Sequence, residues 1–171
     1  MYERCKISHN HRFGQINIDV GYNAVKLKNP ISREMEFLRN SLIPGIMKAL
    51  SFNEKREIDF LQLFEIGSIT RTDKKSYSGS LENRSLCIGY LGDKAYNWKN
   101  KNTFDVFDVK SDAMMLFNHL GIKDVKFVYE NINQLQISLN DTIVGKIYIP
   151  DNSLLNTFDI DGSVILLYIN I

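Results

Sequence analysis

The sequence predicts an α+β fold, an antiparallel β-sheet flanked by helices. Three observations carry that prediction: strand-like runs outnumber helical ones, most successive strands lie close enough to pair antiparallel, and two helical regions fall between them. A chain of 171 residues, 44% hydrophobic and 24% charged, has the composition and length to bury one ordinary core, so one domain spanning residues 1–171 is expected. With 21 basic and 20 acidic residues the formal charge is +1, which gives no global field to draw in a nucleic-acid backbone or an anionic membrane. No apolar run reaches the roughly 20 residues a spanning helix needs, and Glu3, Arg4 and Lys6 open no secretory signal. Cys5 and Cys87 stand far apart in no ligand or redox spacing. These features predict a soluble, cytoplasmic protein with no membrane contact.

The elements follow in order. Residues 22–27, YNAVKL, read as a strand, and Asn29 is extended because Pro30 clashes with a helical residue before it. Ser32 then predicts a helix N-cap, with Glu34 and Glu36 in a first turn whose dipole favours negative charge. Pro44 lacks the N–H of an interior helical residue, so a continuous helix over 33–50 costs about 3 kcal/mol. Two helices jointed at Pro44-Gly45 are expected instead, the second capped by Ser41 and burying Ile46, Met47 and Leu50. Residues 59–70, DFLQLFEIGSIT, are apolar on both alternating faces, which predicts a central strand covered on both sides. Glu65 on that strand then needs backbone N–H groups or an arginine as partner. Residues 71–84 read as a mobile polar loop, 85–92 as a strand, and 93–103 as a second polar connection. The clearest helix is 108–121, where Ala113, Leu116, Phe117 and Leu120 recur at helical spacing, Gly121 suits a left-handed C-terminal residue, and Ile122 can meet Phe117. A strand at KFVY, a hairpin over 134–149 turning at Asn140-Asp141 and a terminal strand over 163–171 complete the sheet.

Chemistry is sparse. His9, His11 and His119 form no ligand set, and His119 near a helix C-terminus is explained by the dipole. Trp98 among Lys94, Lys99 and Lys101 offers a base-stacking ring in a local charge excess, the basis of an RNA-binding alternative.

One ordered set of residues is more specific than any single element: Asn29-Pro30, Leu38-Arg39, Ser41-Leu42, Pro44-Gly45, Asn53, Arg56 and Leu63-Phe64-Glu65-Ile66-Gly67. With FDVFDVKSDAMMLFNHLG, VGKIY and LNTFDID, it resembles the beta subunit of bacterial phenylalanyl-tRNA synthetase, in the domain similar to a class II synthetase catalytic core, over roughly residues 22–162. Ser111 stands where that family usually has glycine. The resemblance implies a catalytic-like domain of a longer beta chain, a parent ligase that uses ATP and magnesium to charge tRNA with phenylalanine, and an alpha subunit partner in an alpha2-beta2 assembly. It also implies that the magnesium, tRNA-binding and editing sites belong to other domains, so tRNA is met only indirectly. A class II ligase neutralises triphosphate with two arginines, for which the guanidinium fork is suited. Arg56 and Arg71 flank the strand matching the first clamp, but no arginine follows Arg84 and no Gly-x-Gly-x-x-Arg run appears.

The expected role is therefore a structural domain with no catalytic, cofactor or metal residues of its own, pairing with the alpha subunit. Phe37, Leu42, Ile43 and Met47 on the jointed helices are the expected interface, one helix face turning inward and another toward the partner. The rival readings are a reduced ligase that still binds ATP or an amino acid, and the RNA-binding module.

Overall fold

A computed structural model describes residues 24–31, 36–58, 60–94 and 102–171. The elements are α1 (Ile43–Glu54), β1 (Phe60–Thr72), β2 (Ser80–Lys94), β3 (Asn102–Thr103), α2 (Val106–His119), β4 (Val125–Asn131), β5 (Gln134–Leu139), β6 (Thr142–Tyr148), α3 (Asn152–Phe158) and β7 (Val164–Asn170). The sheet runs β1-β2-β7-β6-β5-β4, with β3 paired to β2 off that path. The β2–β7, β7–β6, β6–β5 and β5–β4 pairs are antiparallel. This is the α+β architecture the sequence predicts. The chain divides into two compact units, residues 1–41 with 69–82, and residues 42–68 with 83–171.

In the larger unit, α2 forms because Asp105 and Asp108 build a reciprocal capping box: the Asp108 N–H donates to Asp105 Oδ1 at 2.9 Å and the Asp105 N–H to Asp108 Oδ2 at 2.8 Å. It ends as expected at Gly121, whose φ of 70° is open to glycine without strain. There the Ile122 N–H reaches the Phe117 carbonyl at 2.9 Å and the Gly121 N–H reaches Asn118 at 3.0 Å, closing the last carbonyls. Val109, Ala113 and Phe117 face a core of Leu86, Tyr90, Leu135, Ile147, Ile165 and Leu167. The β5–β6 hairpin turns at Asn140 and Asp141, with φ of 47° and 62°, the positive values a two-residue turn demands.

On β2 the residues alternate: Leu86 and Tyr90 belong to the α2 core, while a Cβ on Gly89 would come within 2.5 Å of Ile46 and 2.9 Å of Leu50 on α1. The two helices therefore cover opposite faces of that strand, and Gly89 is what lets α1 lie so close.

Several expectations are corrected. The helix expected from Ser32 is absent over its described part, residues 36–41. In the smaller unit the chain there is extended: Leu27 N–H donates to Glu36 O at 2.8 Å, Leu38 N–H donates to Val25 O at 2.9 Å, and Phe37 bridges Lys26. The bend at Asn29-Pro30 returns the chain on itself, so a two-stranded ribbon satisfies backbone groups that the sequence alone assigns to a helix. The strand expected at 22–27 is only that one bridge in its described part. Leu42, not Ser41, occupies the N-cap of α1, with no side-chain cap; Pro44 falls in the first turn and Ile46, Met47 and Leu50 are buried, as expected. β1 is an edge strand rather than a central one. The loop expected over 71–84 narrows to a turn over 73–79, because β1 continues to Thr72 and β2 begins at Ser80. Helix α3, capped by the Asp151 side chain accepting from the Leu154 N–H at 2.8 Å, was not expected.

Candidate interaction surface

Most motif residues of the larger unit, Phe64 and Ile66 apart, gather around α1. The helix has no acidic residue in its first turn. Glu65 of β1, half-buried, supplies the missing negative charge: its Oε2 lies 3.3 Å from where a Cβ on Gly45 would stand. Gly45 thus keeps the first turn open to the carboxylate. The same carboxylate, second to burial itself, holds the Cys87 thiol up at about 12. Leu63 and Gly67 share that half-buried side of β1.

At the other end of α1, the Asn53 side chain donates to the Ala49 carbonyl at 2.7 Å and its own carbonyl accepts from the Arg56 N–H at 2.9 Å. Arg56 folds back on its helix: its guanidinium lies 3.4 Å from the centre of the Phe52 ring, and Nη1 donates to the Phe52 carbonyl at 2.9 Å. An arginine held this way caps a helix end rather than reaching toward a phosphate.

Sequence reasoning missed Glu54. Its carboxylate accepts from the Gly162 N–H at 2.6 Å and the Asp161 N–H at 3.2 Å, Ser51 Oγ donates to the Asp159 carbonyl at 3.3 Å, and Lys55 pairs with Asp159. A side chain on Gly162 would meet Glu54 Oε1 at 2.7 Å. In the sequence the FDID run carries a family likeness but no signal that it receives α1.

In the smaller unit, Asn29, Pro30, Leu38 and Arg39 are exposed and Ser41 is half-buried. The Arg39 carbonyl accepts from the Thr70 N–H at 2.8 Å, a backbone role. Arg71 is exposed near the end of β1. His119 lies with Nδ1 3.3 Å from the Met115 carbonyl on its own helix. His9, His11, Cys5, Trp98, Lys99, Lys101 and the Lys94 side chain lie outside the described residues.

The expected interface is overturned at three of its four residues. Leu42, Ile43 and Met47 are core, at 1%, 5% and 0% exposure, because the single helix α1 turns its whole apolar face onto the sheet; Phe37 keeps exposed surface. Exposed apolar area appears instead on β1, where Phe64 is 70% and Ile66 50% exposed. Phe60 on the same side stacks on Phe104 at 5.4 Å, and Phe104 meets Tyr90 edge-on at 5.3 Å, so this is the sheet face that carries α2. Helix α2 packs over β6 and β7. Its own outer surface presents Phe107, Met114 and Met115.

A family model described as the phenylalanyl tRNA synthetase beta chain CLM domain matches residues 2–171. A phenylalanine–tRNA ligase beta subunit of Legionella pneumophila (strain Paris) is 31% identical over 156 residues, covering 86% of this chain and 19% of the relative. A probable phenylalanine–tRNA ligase beta subunit of Vairimorpha ceranae is 34% identical over 107 residues, covering 63% of this chain and 19% of that protein. The chain thus spans about a fifth of the length of these relatives. Among solved structures, pyrrolysyl-tRNA synthetase from Desulfitobacterium hafniense superposes with a TM-score of 0.66 at 15% identity, over 86% of this chain and 50% of that one, a likeness of fold.

Proposed function

Because this chain belongs to the phenylalanyl-tRNA synthetase beta chain CLM domain family, we propose that it is the non-catalytic, structural domain of the beta subunit of a phenylalanine–tRNA ligase and that it pairs with the alpha subunit. The observation that carries the pairing is the exposed apolar side of β1, at Phe64 and Ile66. Side chains of this kind gain most from burial against a partner, and contiguous apolar surface on a folded chain marks an interface. In this reading the assembly is alpha2-beta2 and cytoplasmic, and this domain meets tRNA as part of the parent enzyme.

The parent's ATP and magnesium chemistry is assigned to other parts of the ligase. Supporting this reading, Arg56 is engaged on the Phe52 ring, which leaves Arg71 as the exposed arginine flanking β1, and no arginine follows Arg84 to give a second clamp. What this domain contributes is a rigid surface. Glu65 fixes the start of α1 and Glu54 its end, so the sheet that presents Phe64 is held from behind.

Mixing the purified chain with the alpha subunit of a phenylalanine–tRNA ligase should give a stable complex on size exclusion, while the chain alone should catalyse no phenylalanine-dependent ATP–pyrophosphate exchange. Exchange by the isolated chain that Arg56→Ala abolishes would overturn the non-catalytic role, and failure to form a complex would overturn the pairing.

A further inference from the structure

We infer that the tip of the β1–β2 hairpin is a contact surface for unpaired RNA, an inference that does not rest on the alpha-subunit reading. Residues 73–79 are fixed by their own backbone: the Asp73 N–H donates to Gly79 O at 2.9 Å, the Ser76 N–H to Asp73 O at 3.2 Å, and the Gly79 N–H to Ser76 O at 3.0 Å. The Asp73 carboxylate accepts from the Lys75 N–H at 2.9 Å, and Gly79 takes a φ of 71° that favours glycine. Such a turn does not need an aromatic residue. Yet Tyr77 stands on it wholly exposed, with no packing role.

On the same hairpin Arg71, Lys74 and Lys75 are exposed, and none of the three makes an ion pair among the described residues. The acidic groups of the segment are Asp73, whose carboxylate is turned onto the backbone of Lys75, and exposed Glu82 on β2. Ser78 Oγ donates to the Ser80 carbonyl at 2.9 Å and lies 3.0 Å from Ser76 Oγ, so hydroxyl groups also line the tip. Unpaired cations and a presented ring on one short turn match a phosphate backbone whose bases are unstacked: the cations take the phosphates and the ring takes a base face. An acidic peptide would use the cations and leave Tyr77 idle. A small net charge across the whole chain, +1, means that this binding depends on the local arrangement rather than on a protein-wide field.

The test uses the 171-residue chain and a fluorescein-labelled single-stranded RNA of about 12 nucleotides, within the span of known single-strand sites. Anisotropy should show binding at low salt that weakens as salt rises. Lys74→Glu/Lys75→Glu should weaken it at least tenfold and flatten the salt slope by about 1.4, the share of two lost phosphate contacts. Tyr77→Ala should weaken it about fivefold or more with the salt slope unchanged, the signature of a lost stacking contact. Thermal melts confirm that these exposed variants stay folded. The inference is overturned if the parent chain binds no RNA at low salt, or if an RNA duplex of equal length binds as tightly. It is also overturned if Tyr77→Ala leaves affinity intact while heparin or anionic phosphatidylserine vesicles bind equally, which would make the tip a general anion contact.

Discussion

The two sides of β1 have nearly the same sequence character and opposite fates. Leu61, Leu63, Glu65 and Gly67 are half-buried, and Glu65 serves the first turn of α1; Phe60, Gln62, Phe64 and Ile66, one residue out of step, are exposed. Hydrophobicity alone does not tell them apart, because alternation fixes which residues share a side and position in the sheet fixes which side is covered. An edge strand with an apolar open side is a liability in a solitary protein. The covered side of β1 belongs to folding, and the open side is the one we propose for association.

That division is sharpened first by mutating what was expected to be interface and is core. Met47→Ala, at a fully buried position on α1, should cost about 2–5 kcal/mol of stability, read by urea or thermal unfolding. A loss below 0.5 kcal/mol would mean that α1 is not part of the core. Next, Glu54→Ala removes a carboxylate that accepts two N–H groups of the 161–162 turn. The expected loss is about 1–3 kcal/mol. Glu54→Gln, which keeps one acceptor oxygen, should recover part of it, and equal losses in the two variants would contradict the acceptor role.

What the sequence made legible and what it hid divide along similar lines. Local devices were readable: the Asn140-Asp141 turn, the Gly121 stop of α2 and the buried stripe of α1 are each decided within a few residues. Non-local partners were not. The bond from Gly162 to Glu54 spans 108 residues, and neither end announces the other. The ribbon at 36–38 replaced a well-capped helical pattern because its backbone found Val25 and Leu27 across the Asn29-Pro30 bend. The edge position of β1 depends on strand order, which alternation does not encode, so the run read as a doubly covered strand. Of the candidate surface, Phe64 and Ile66 are legible as motif residues, while the apolar character of Leu42, Ile43 and Met47 fits an interface and a core equally, and the structure buries them.

A smaller effect probes the covered side by pH. Burial first, and the Glu65 carboxylate second, push the Cys87 thiol from 9.0 up to about 12. The folded state holds that proton more tightly than the unfolded chain, so the contribution is complete below pH 9 and is lost as pH climbs toward 12. Tyr148, raised by burial in the first place, adds to the same decline. Cys87→Ala leaves Tyr148 in place, so its Tm should fall less steeply than the parent's between pH 9 and 12; parallel slopes would show that the thiol is not linked to folding.

The smallest change in stability is expected on the open side, and there the largest change should be in binding. Phe64→Ser with Ile66→Ser alters residues that are 70% and 50% exposed, so the unfolding free energy should move by less than about 0.5 kcal/mol per site. Titrating the alpha subunit of a phenylalanine–tRNA ligase into this double variant and into the parent chain, and comparing the two Kd values, tests the division most directly. The account predicts at least tenfold weaker binding by the variant with its melting curve unchanged, as the loss of two central apolar contacts implies. Equal Kd values for variant and parent would contradict it, and would place the alpha-subunit contact away from β1.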